Sequence, residues 1–422
     1  MILKITQELI VRQVKTAARA IPRKPVPRGI DLSGPPILSY GFRPFFLAAG
    51  VYAAIAMVLW IGALSGYWAV GGSEGPVGWH AHEMLFGYAP AALAGFVLTA
   101  VPNWTGRLPV SGRPLLVLLG LWLIGRLVEV APSLLGDATS AILDSLFLPA
   151  LAFVVAREVV AGRNRQNLRV AIGISVLAAL NVAFHIVVLA SADFDMVLRA
   201  TVALYVLLVC HIGGRIIPSF TRNYLARRGA TKLPAPMDRL DHIALGSALL
   251  ALAAWAAVPE GVPTAVLCGL AACLHAIRLA RWRGPKTWRE PLLLVLHVAY
   301  AFVPLGLATA SLAALGIGTL PSTLHLFTVG VIGLMTLAVM TRAARGHTGR
   351  PLSASILTTI AYSCLFFAAV SRPLAELLPA YYEPILMVAG AAWIGAFCLF
   401  TAEHVPAFVT PSLNDQKRTA AA

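Results

Sequence analysis

Charged residues are scarce in this chain. Asp, Glu, Lys and Arg make up 12% of its 422 residues, whereas a soluble domain has about 25%. Three motifs are also absent: the Rossmann glycine fingerprint, the P-loop and the Cys-x-x-Cys-His sequence. Their absence removes the sequence support for dinucleotide binding, nucleotide hydrolysis and covalently attached haem. The five cysteines all fall within apolar segments, so we expect no disulfides.

Apolar residues are abundant instead, at 59% of the chain. This share fits a lipid bilayer, in which each helical span needs about 20 apolar residues. Hydropathy windows predict an all-α polytopic membrane protein with about twelve transmembrane helices. The predicted spans lie near residues 45–66, 80–103, 114–132, 140–161, 168–190, 195–218, 242–259, 262–280, 290–312, 320–341, 353–378 and 381–401.

The distribution of positive charge sets the predicted topology. The formal net charge is +15, but all except three of the 33 Lys and Arg residues fall in alternate loops and in the termini. This positive-inside pattern predicts that both termini face the cytoplasm, so we expect a bilayer and no nucleic acid as partner. The chain divides into a basic cytoplasmic arm at 1–44, a transmembrane domain at 45–404 and a polar cytoplasmic tail at 405–422. A bacterial inner membrane is the expected location.

Shorter patterns give local expectations. The Pro- and Gly-rich approach to the first span ends in aromatic residues at 42–46, which predicts an elbow at the headgroup layer. Asp144 and Pro149 interrupt the fourth span. Two arginines near outer helix ends have an acidic residue within one turn, which predicts local ion pairs: Arg126 with Glu129, and Arg372 with Glu376.

Two distant segments share the same spacing of histidine, glycine and a basic turn. His82 and His325 are each followed by a glycine five residues on and by a Thr-Gly-Arg sequence that ends 25 residues on. A weaker Pro-x-aromatic-Thr match relates residues 102–105 to residues 218–221. These matches predict three four-helix units in which helices 2, 6 and 10 are equivalent. His82 and His325 then face each other near the outer end of the bundle.

Histidines within membrane spans are functional candidates, because ionisable groups are costly in lipid. Imidazole suits iron, copper and zinc, so we predict that His82 and His325 ligate a cofactor. His80 lies two residues from His82 and therefore points in a different direction on a regular helix. Glu83, three residues after His80, is expected to orient it by a hydrogen bond.

Three further histidines lie at a similar depth near the inner side. His211, His275 and His297 come from three helices, each about 10 Å from its inner end at the rise of an α-helix. That placement predicts a three-histidine metal centre, or haem together with a metal. For His185 and His242, which have no matching partner, a hydrogen-bonded core histidine is the simpler interpretation.

Basic residues near the inner helix ends have two interpretations. Arg215 shares a helix face with His211, and Arg342 lies near His347 at the inner end of helix 10. Such cations could pair with haem propionates, with His347 as an additional metal ligand beside His80. They could equally be part of the positive-inside pattern.

The segments at 79–87, 211–221 and 339–350 resemble motifs of the NnrS family. The resemblance extends over nearly the whole chain. The resemblance implies a polytopic membrane protein that binds haem and copper and belongs to the bacterial nitric oxide response. A more distant similarity is to haem–copper oxidases and nitric oxide reductases, where facing histidines on helices 2 and 10 hold a low-spin haem. This chain departs from those proteins, because it has no second histidine beside His325 and no histidine pair on helix 7.

These observations lead to one functional hypothesis and two alternatives. A haem b held by His82 and His325 passes electrons to a centre at the inner histidines, where nitric oxide is reduced or otherwise consumed. The electron donor, a quinol or a cytochrome, is not identified by the sequence. The alternatives are a transporter for copper or a small anion, and a haem-based nitric oxide sensor without turnover.

Overall fold

The computed structural model describes residues 34–413, and these are almost entirely helical, with no strand among them. Twelve long helices follow one another along the described residues, and the prediction of an all-α polytopic protein is confirmed. They are α1 Phe42–Leu64, α2 Gly75–Thr105, α3 Arg113–Val130, α4 Asp137–Ala161, α5 Arg165–Leu189, α6 Asp195–Arg227, α7 Arg239–Ala257, α8 Val262–Ala280, α9 Pro291–Ala313, α10 Leu320–His347, α11 Ile356–Leu377 and α12 Tyr382–Val409.

Eleven of these helices are long and apolar enough to cross a membrane. The exception is α3, whose 18 residues include Arg113, Arg126 and Glu129. Arg126 and Glu129 are only 5% and 3% exposed. Their charges therefore face the interior of the bundle, where such groups mark a functional region.

Neighbouring helices pack in chain order, and α12 packs against α1, which closes the bundle. The two most enclosed helices are α2 and α10, with 78% and 72% of their most apolar stretches buried. α6 packs against α9 and against the Leu326–Gly333 segment of α10. Of the three helices that the sequence predicts to be equivalent, α2 and α10 thus lie towards the centre. We call the end that carries His80, His82 and His325 the outer end, following the predicted topology.

Both α2 and α10 change from an α-helix to a π-helix at corresponding positions. The π segments are Glu83–Tyr88 and Leu326–Gly333, and each begins directly after the histidine of the predicted match, His82 or His325. π segments within α-helices are rare and are frequently found at functional sites. This shared feature supports the equivalence of α2 and α10. α6 has no such segment and is a continuous α-helix.

The π segment of α2 is bonded to its neighbours through its carbonyl groups. Trp122 of α3 donates its indole N–H to the carbonyl of Gly87 at 2.9 Å, and Tyr205 of α6 donates its hydroxyl to the carbonyl of Leu85 at 2.9 Å. A π turn disturbs the regular backbone ladder, so buried carbonyls in it need other donors. These side chains supply them and connect α2 to two helices.

Several predicted boundaries differ from the structure. No elbow extends to residue 46, because α1 begins at Phe42 and the phenylalanines of its first turn are fully buried against other helices. α6 continues to Arg227 and α12 to Val409, each with a proline inside the helix. α4 does break after Asp144, but Pro149 lies within the first turn of the second half, where proline is tolerated. Most of the predicted arm and tail lies outside the described residues.

Candidate metal centre

A buried polar cluster lies between α2, α4 and α5 near the outer end. The Nε2 atom of His82 is 3.3 Å from Oδ2 of Asp144, and the Nε2 atom of His185 is 2.9 Å from the same oxygen. Asn181, one turn before His185, donates its amide to that oxygen at 2.9 Å, and its carbonyl lies 3.1 Å from Nε2 of His82. Two imidazoles and one side-chain amide thus surround a single oxygen, Oδ2 of Asp144.

Arg126 of α3 bonds the carboxylates of two other helices. Its Nη1 donates to Oε1 of Glu83, and its Nη2 donates to Oδ1 of Asp144. Glu129, one turn further along α3, is also buried and lies near both carboxylates. The predicted local pair of Arg126 with Glu129 is wrong, since the guanidinium reaches across to α2 and α4 instead. The predicted pair of Arg372 with Glu376 is confirmed at 3.0 Å.

Local backbone features make room for the cluster. Asp144 ends the first half of α4, directly before the break. A Cβ atom on Gly87 would lie 2.4 Å from Nη1 of Arg126, and one on Gly125 would lie 2.7 Å from Oδ1 of Asp144. The glycine five residues after His82 is therefore needed because the guanidinium of Arg126 occupies the space of its side chain.

Glu83 orients His82 rather than His80. Its Oε1 atom is 3.0 Å from Nδ1 of His82, so the prediction that Glu83 supports His80 is wrong. Both ring nitrogens of His82 consequently face oxygen atoms: Nδ1 faces Glu83, and Nε2 faces Asn181 and Asp144. A neutral imidazole carries one N–H, which satisfies one of these contacts only. The cluster needs a further proton or a cation.

The donor set fits a first-row transition metal. The ligating atoms of His82, Asp144 and His185 all lie within 4.8 Å of one another and are buried, as are those of His82, Glu83 and Glu129. Two imidazoles and one carboxylate suit iron, copper or zinc. Arg126 bonds Oδ1 of Asp144, so Oδ2 is the oxygen that faces the two imidazoles. The second imidazole, His185, has no obvious signal in the sequence.

His80 lies on another side of α2. Its ring stacks on that of Trp60 in α1, with centroids 4.5 Å apart. His82 instead packs among Phe86, Phe184 and His185. The structure thus places His82 beside Asp144 of α4 and His185 of α5. The assignment of His82 and His325 as a haem pair stays a prediction.

The three inner histidines have separate surroundings. His275 is bonded at both nitrogens, to the hydroxyl of Tyr300 at 2.9 Å and to the carbonyl of Ala244 at 2.9 Å. His297 is bonded to the hydroxyl of Thr221 at 2.8 Å. His211 has a buried Nε2 without a hydrogen bond. Among the described residues, these histidines do not form a group of three ligating side chains within 4.8 Å.

The remaining predicted residues contact protein groups near the inner end. Arg215 donates to the side chain of Asn167 at 2.9 Å. The guanidinium of Arg342 lies 4.1 Å above the ring of Phe220, a cation–π contact. The ring of His347 lies 5.6 Å from that of Phe42. Their predicted roles beside a haem or a metal stay predictions.

An apolar cavity lies between α2, α6 and α10, and Ile332 of the α10 π segment is part of its lining. Its empty volume is about 620 Å³, which includes the space at its mouth. Tyr205 and Thr336 contribute the hydroxyl groups of its lining, which is otherwise apolar and includes Phe96, Met335 and Met340. The three helices around it are those that the sequence predicts to be equivalent.

A helical bundle with a buried group of histidines and carboxylates defines a polytopic membrane protein that could hold a metal ion. The model of the NnrS protein family matches residues 36–412. The chain therefore belongs to the NnrS family, which agrees with the resemblance of its three histidine- and glycine-containing segments. No curated protein matches the chain.

Proposed function

We propose that this chain is a haem- and copper-containing membrane protein that binds and consumes nitric oxide in a bacterial cytoplasmic membrane. The observation that carries the proposal is the buried group formed by His82, Asp144 and His185. Membership of the NnrS family supports the identity of the cofactors, since the resemblance implies haem and copper. Copper at this group would supply a centre that changes its oxidation state.

The surrounding residues are suited to hold such an ion. Glu83 accepts a hydrogen bond from Nδ1 of His82 when Nε2 is a ligand, and this contact fixes the tautomer and the direction of the ring. Arg126 bonds Oδ1 of Asp144 and thereby orients Oδ2 towards both imidazoles. Asn181 donates a hydrogen bond from its amide to Oδ2 of Asp144 and helps to fix the position of that carboxylate. The positive charge of Arg126 also offsets part of the carboxylate charge in this buried site.

Nitric oxide fits the rest of the bundle. It is small, uncharged and lipid-soluble, so it can enter through apolar helix surfaces without a polar channel. The cavity between α2, α6 and α10 offers a space of that character inside the bundle. On α2 the lining of this cavity begins at Ala89, directly after the π segment.

Metal analysis of the purified full-length protein tests the proposal. We expect bound copper in the wild type and at least a tenfold lower copper content in His185→Asn and Asp144→Asn, because each removes one of three ligands. His242→Asn is the matched control, since His242 is exposed and bonds only a backbone carbonyl. An unchanged copper content in both ligand variants contradicts the assignment.

Consumption of nitric oxide is measured separately with an electrode, using proteoliposomes and an artificial reductant. We expect catalytic loss of nitric oxide with wild-type protein and a strong decrease with His185→Asn. Binding in a one-to-one ratio without further loss would contradict consumption and favour a sensor. Copper or anion uptake into the vesicles without loss of nitric oxide would favour a transporter.

A further inference from the structure

His82 belongs to two separate groups of ligating side chains. One group joins it to Asp144 and His185, which form the proposed copper site. The other joins it to Glu83 and Glu129, and the ligating atoms of these three residues lie within 4.8 Å of one another. The three side chains of the second group belong to buried residues, with exposures of 0%, 0% and 3%. The two groups therefore meet at one imidazole ring.

The two nitrogens of that ring divide between the two groups. Nδ1 lies 3.0 Å from Oε1 of Glu83, whereas Nε2 lies 3.3 Å from Oδ2 of Asp144. The nitrogens of an imidazole point in different directions, so a single ion does not bind both. A neutral ring has one N–H and one lone pair. Each nitrogen can bind an ion of its own once that N–H proton is released, which makes the ring an imidazolate.

Glu129 has a carboxylate without a bonding partner in the described part of the chain. Among residues 34–413 its side chain forms no hydrogen bond and no ion pair, although the residue is only 3% exposed. Its position is nevertheless fixed, because its backbone carbonyl accepts the indole N–H of Trp79 at 2.9 Å. Trp79 lies three residues before His82, so this bond holds α3 against the ligand-bearing turn of α2. A buried polar group without a partner needs an explanation, and a bound cation supplies one.

Arg126 leaves one oxygen of Glu83 without a partner. Its guanidinium donates to Oε1, whereas Oε2 is buried and has no hydrogen-bond partner among the described residues. The same guanidinium bonds Oδ1 of Asp144, and Oδ2 faces the two imidazoles. Each of these carboxylates thus gives one oxygen to Arg126 and keeps the other for a different group. Arg126 therefore orients a carboxylate of each ligand group.

The charges of the cluster favour a second cation. Three carboxylates, those of Glu83, Asp144 and Glu129, carry three negative charges when ionised. Arg126 supplies one positive charge, which leaves an excess of two negative charges, and an imidazolate at His82 raises this excess to three. Copper(I) and one divalent ion together supply three positive charges. The buried group then becomes neutral, which matters because an uncompensated charge is costly inside a protein.

We propose that Glu83, Glu129 and Nδ1 of His82 bind a second, divalent metal ion, which shares the His82 ring with the copper ion. This inference rests on the proposed function for the identity of the first ion. One imidazole and two carboxylates form a donor set richer in oxygen than the copper site, and it suits harder ions such as iron(II) or zinc. When the second ion binds, it replaces the Nδ1 proton that hydrogen-bonds to Glu83. That proton is released to solvent, and binding involves no oxidation or reduction.

Metal analysis of the purified full-length protein tests the second site. We expect the wild type, loaded first with copper(I) and then with zinc or iron(II), to retain one ion of each kind per chain. Glu129→Gln should keep the copper and lose at least 90% of the second ion, because its side chain ligates only that ion. His185→Asn should show the opposite pattern. Glu260→Gln is the matched control, since Glu260 is exposed, and it should change neither content.

Copper(II) in excess tests whether the two ions share one ring. Among divalent first-row ions, copper(II) binds nitrogen and oxygen ligands most tightly, so it should fill both positions. Two copper(II) ions joined by an imidazolate are magnetically coupled. We therefore expect the EPR spectrum of the wild type to lack the signal of isolated copper(II) at this cluster. Glu129→Gln should show that signal, and a purely structural role of Glu129 would not produce this change.

The outcomes separate this inference from the proposed function. The inference is overturned if the wild type retains copper but no second ion, if Glu129→Gln keeps the second ion, or if two copper(II) ions remain uncoupled. In each of these cases the copper site of the proposed function stands. Zinc or iron(II) that is lost in Glu129→Gln, from a protein that retains no copper, would support the second site and refute the copper assignment.

Discussion

Arg126 and Asp144 form a buried ion pair between α3 and α4, with side chains that are 6% and 1% exposed. The same guanidinium also bonds Glu83 of α2. It therefore connects three helices around the candidate metal centre and offsets negative charge in a region where ionised carboxylates are costly. A surface arginine of the same bundle could be lost with little effect, but this one cannot.

Arg126→Leu is expected to destabilise the protein. Removing one partner leaves buried carboxylates without a counter-charge, which costs about 3–5 kcal/mol in comparable buried pairs. Thermal unfolding in detergent should show a large decrease in the midpoint. Arg107→Leu is the control, because Arg107 is 46% exposed and its partner Glu158 keeps a second ion pair with Arg157, so we expect a smaller loss of stability. Equal midpoints for the two variants would show that the cluster does not stabilise the fold.

Sequence alone predicts the helices and the equivalence of α2 and α10 well, because both depend on local patterns. Apolar runs of sufficient length specify the spans. The repeated spacing after His82 and His325 identifies two helices that also share a π segment, although nothing in the spacing reveals the π turns. Asp144 is recognisable as an acidic residue within an apolar segment.

The partners within the cluster could not be predicted, because they depend on how distant helices pack. Short-range spacing favours Glu129 for Arg126, whereas the actual partners Glu83 and Asp144 lie 43 and 18 residues away in the sequence. His185 has no acidic neighbour on its own helix, and its partner precedes it by 41 residues. Likewise, a regular-helix argument separates His80 from His82 but does not say which one faces α10.

Gly87→Ala should disturb the cluster despite its small size. The added Cβ would lie 2.4 Å from Nη1 of Arg126 and 3.1 Å from Oε2 of Glu83. Overpacking of this kind costs about 1–3 kcal/mol, and displacement of Arg126 should also lower copper binding. Thermal unfolding and metal content are the measurements.

Gly395→Ala provides the control for this substitution. Gly395 also lies within a membrane-spanning helix, but no atom is within 4 Å of its added Cβ. Alanine should be neutral or stabilising there, by up to about 1 kcal/mol. A loss of stability in Gly395→Ala equal to that in Gly87→Ala would argue against a specific clash with Arg126.

Glu74, just before α2, should make stability depend on pH. Burial raises the pKa of this carboxyl above its usual value of 4.5. This effect outweighs the lowering of the pKa by hydrogen bonds from backbone N–H groups. Below pH 4.5 the group is protonated in both folded and unfolded states and has no effect. As the pH rises from 4.5 towards the raised pKa, the unfolded state ionises before the folded state does, and stability falls.

Glu74→Gln removes that ionisation. We expect the variant to be more stable than the wild type at neutral pH, and we expect the difference to disappear near pH 4. Thermal unfolding midpoints measured across this range test the sign. Glu260→Gln, at an exposed position before α8, controls for the general effect of removing one negative charge. A gain for Glu74→Gln that is larger at acidic pH than at neutral pH would contradict the argument.

Tyr205→Phe should loosen the π segment of α2. The hydroxyl of Tyr205 donates to the carbonyl of Leu85 at 2.9 Å in the buried interface between α6 and α2. Without it, a buried carbonyl loses its side-chain donor, at a cost of about 1–3 kcal/mol. Hydrogen exchange of the amides at 83–90 should become faster, while exchange in α8 stays unchanged. Tyr67→Phe is the control, because Tyr67 is 80% exposed and should leave exchange in α2 as it is. If exchange at 83–90 is unchanged in Tyr205→Phe, the π segment is maintained by its own helix rather than by its contact with α6.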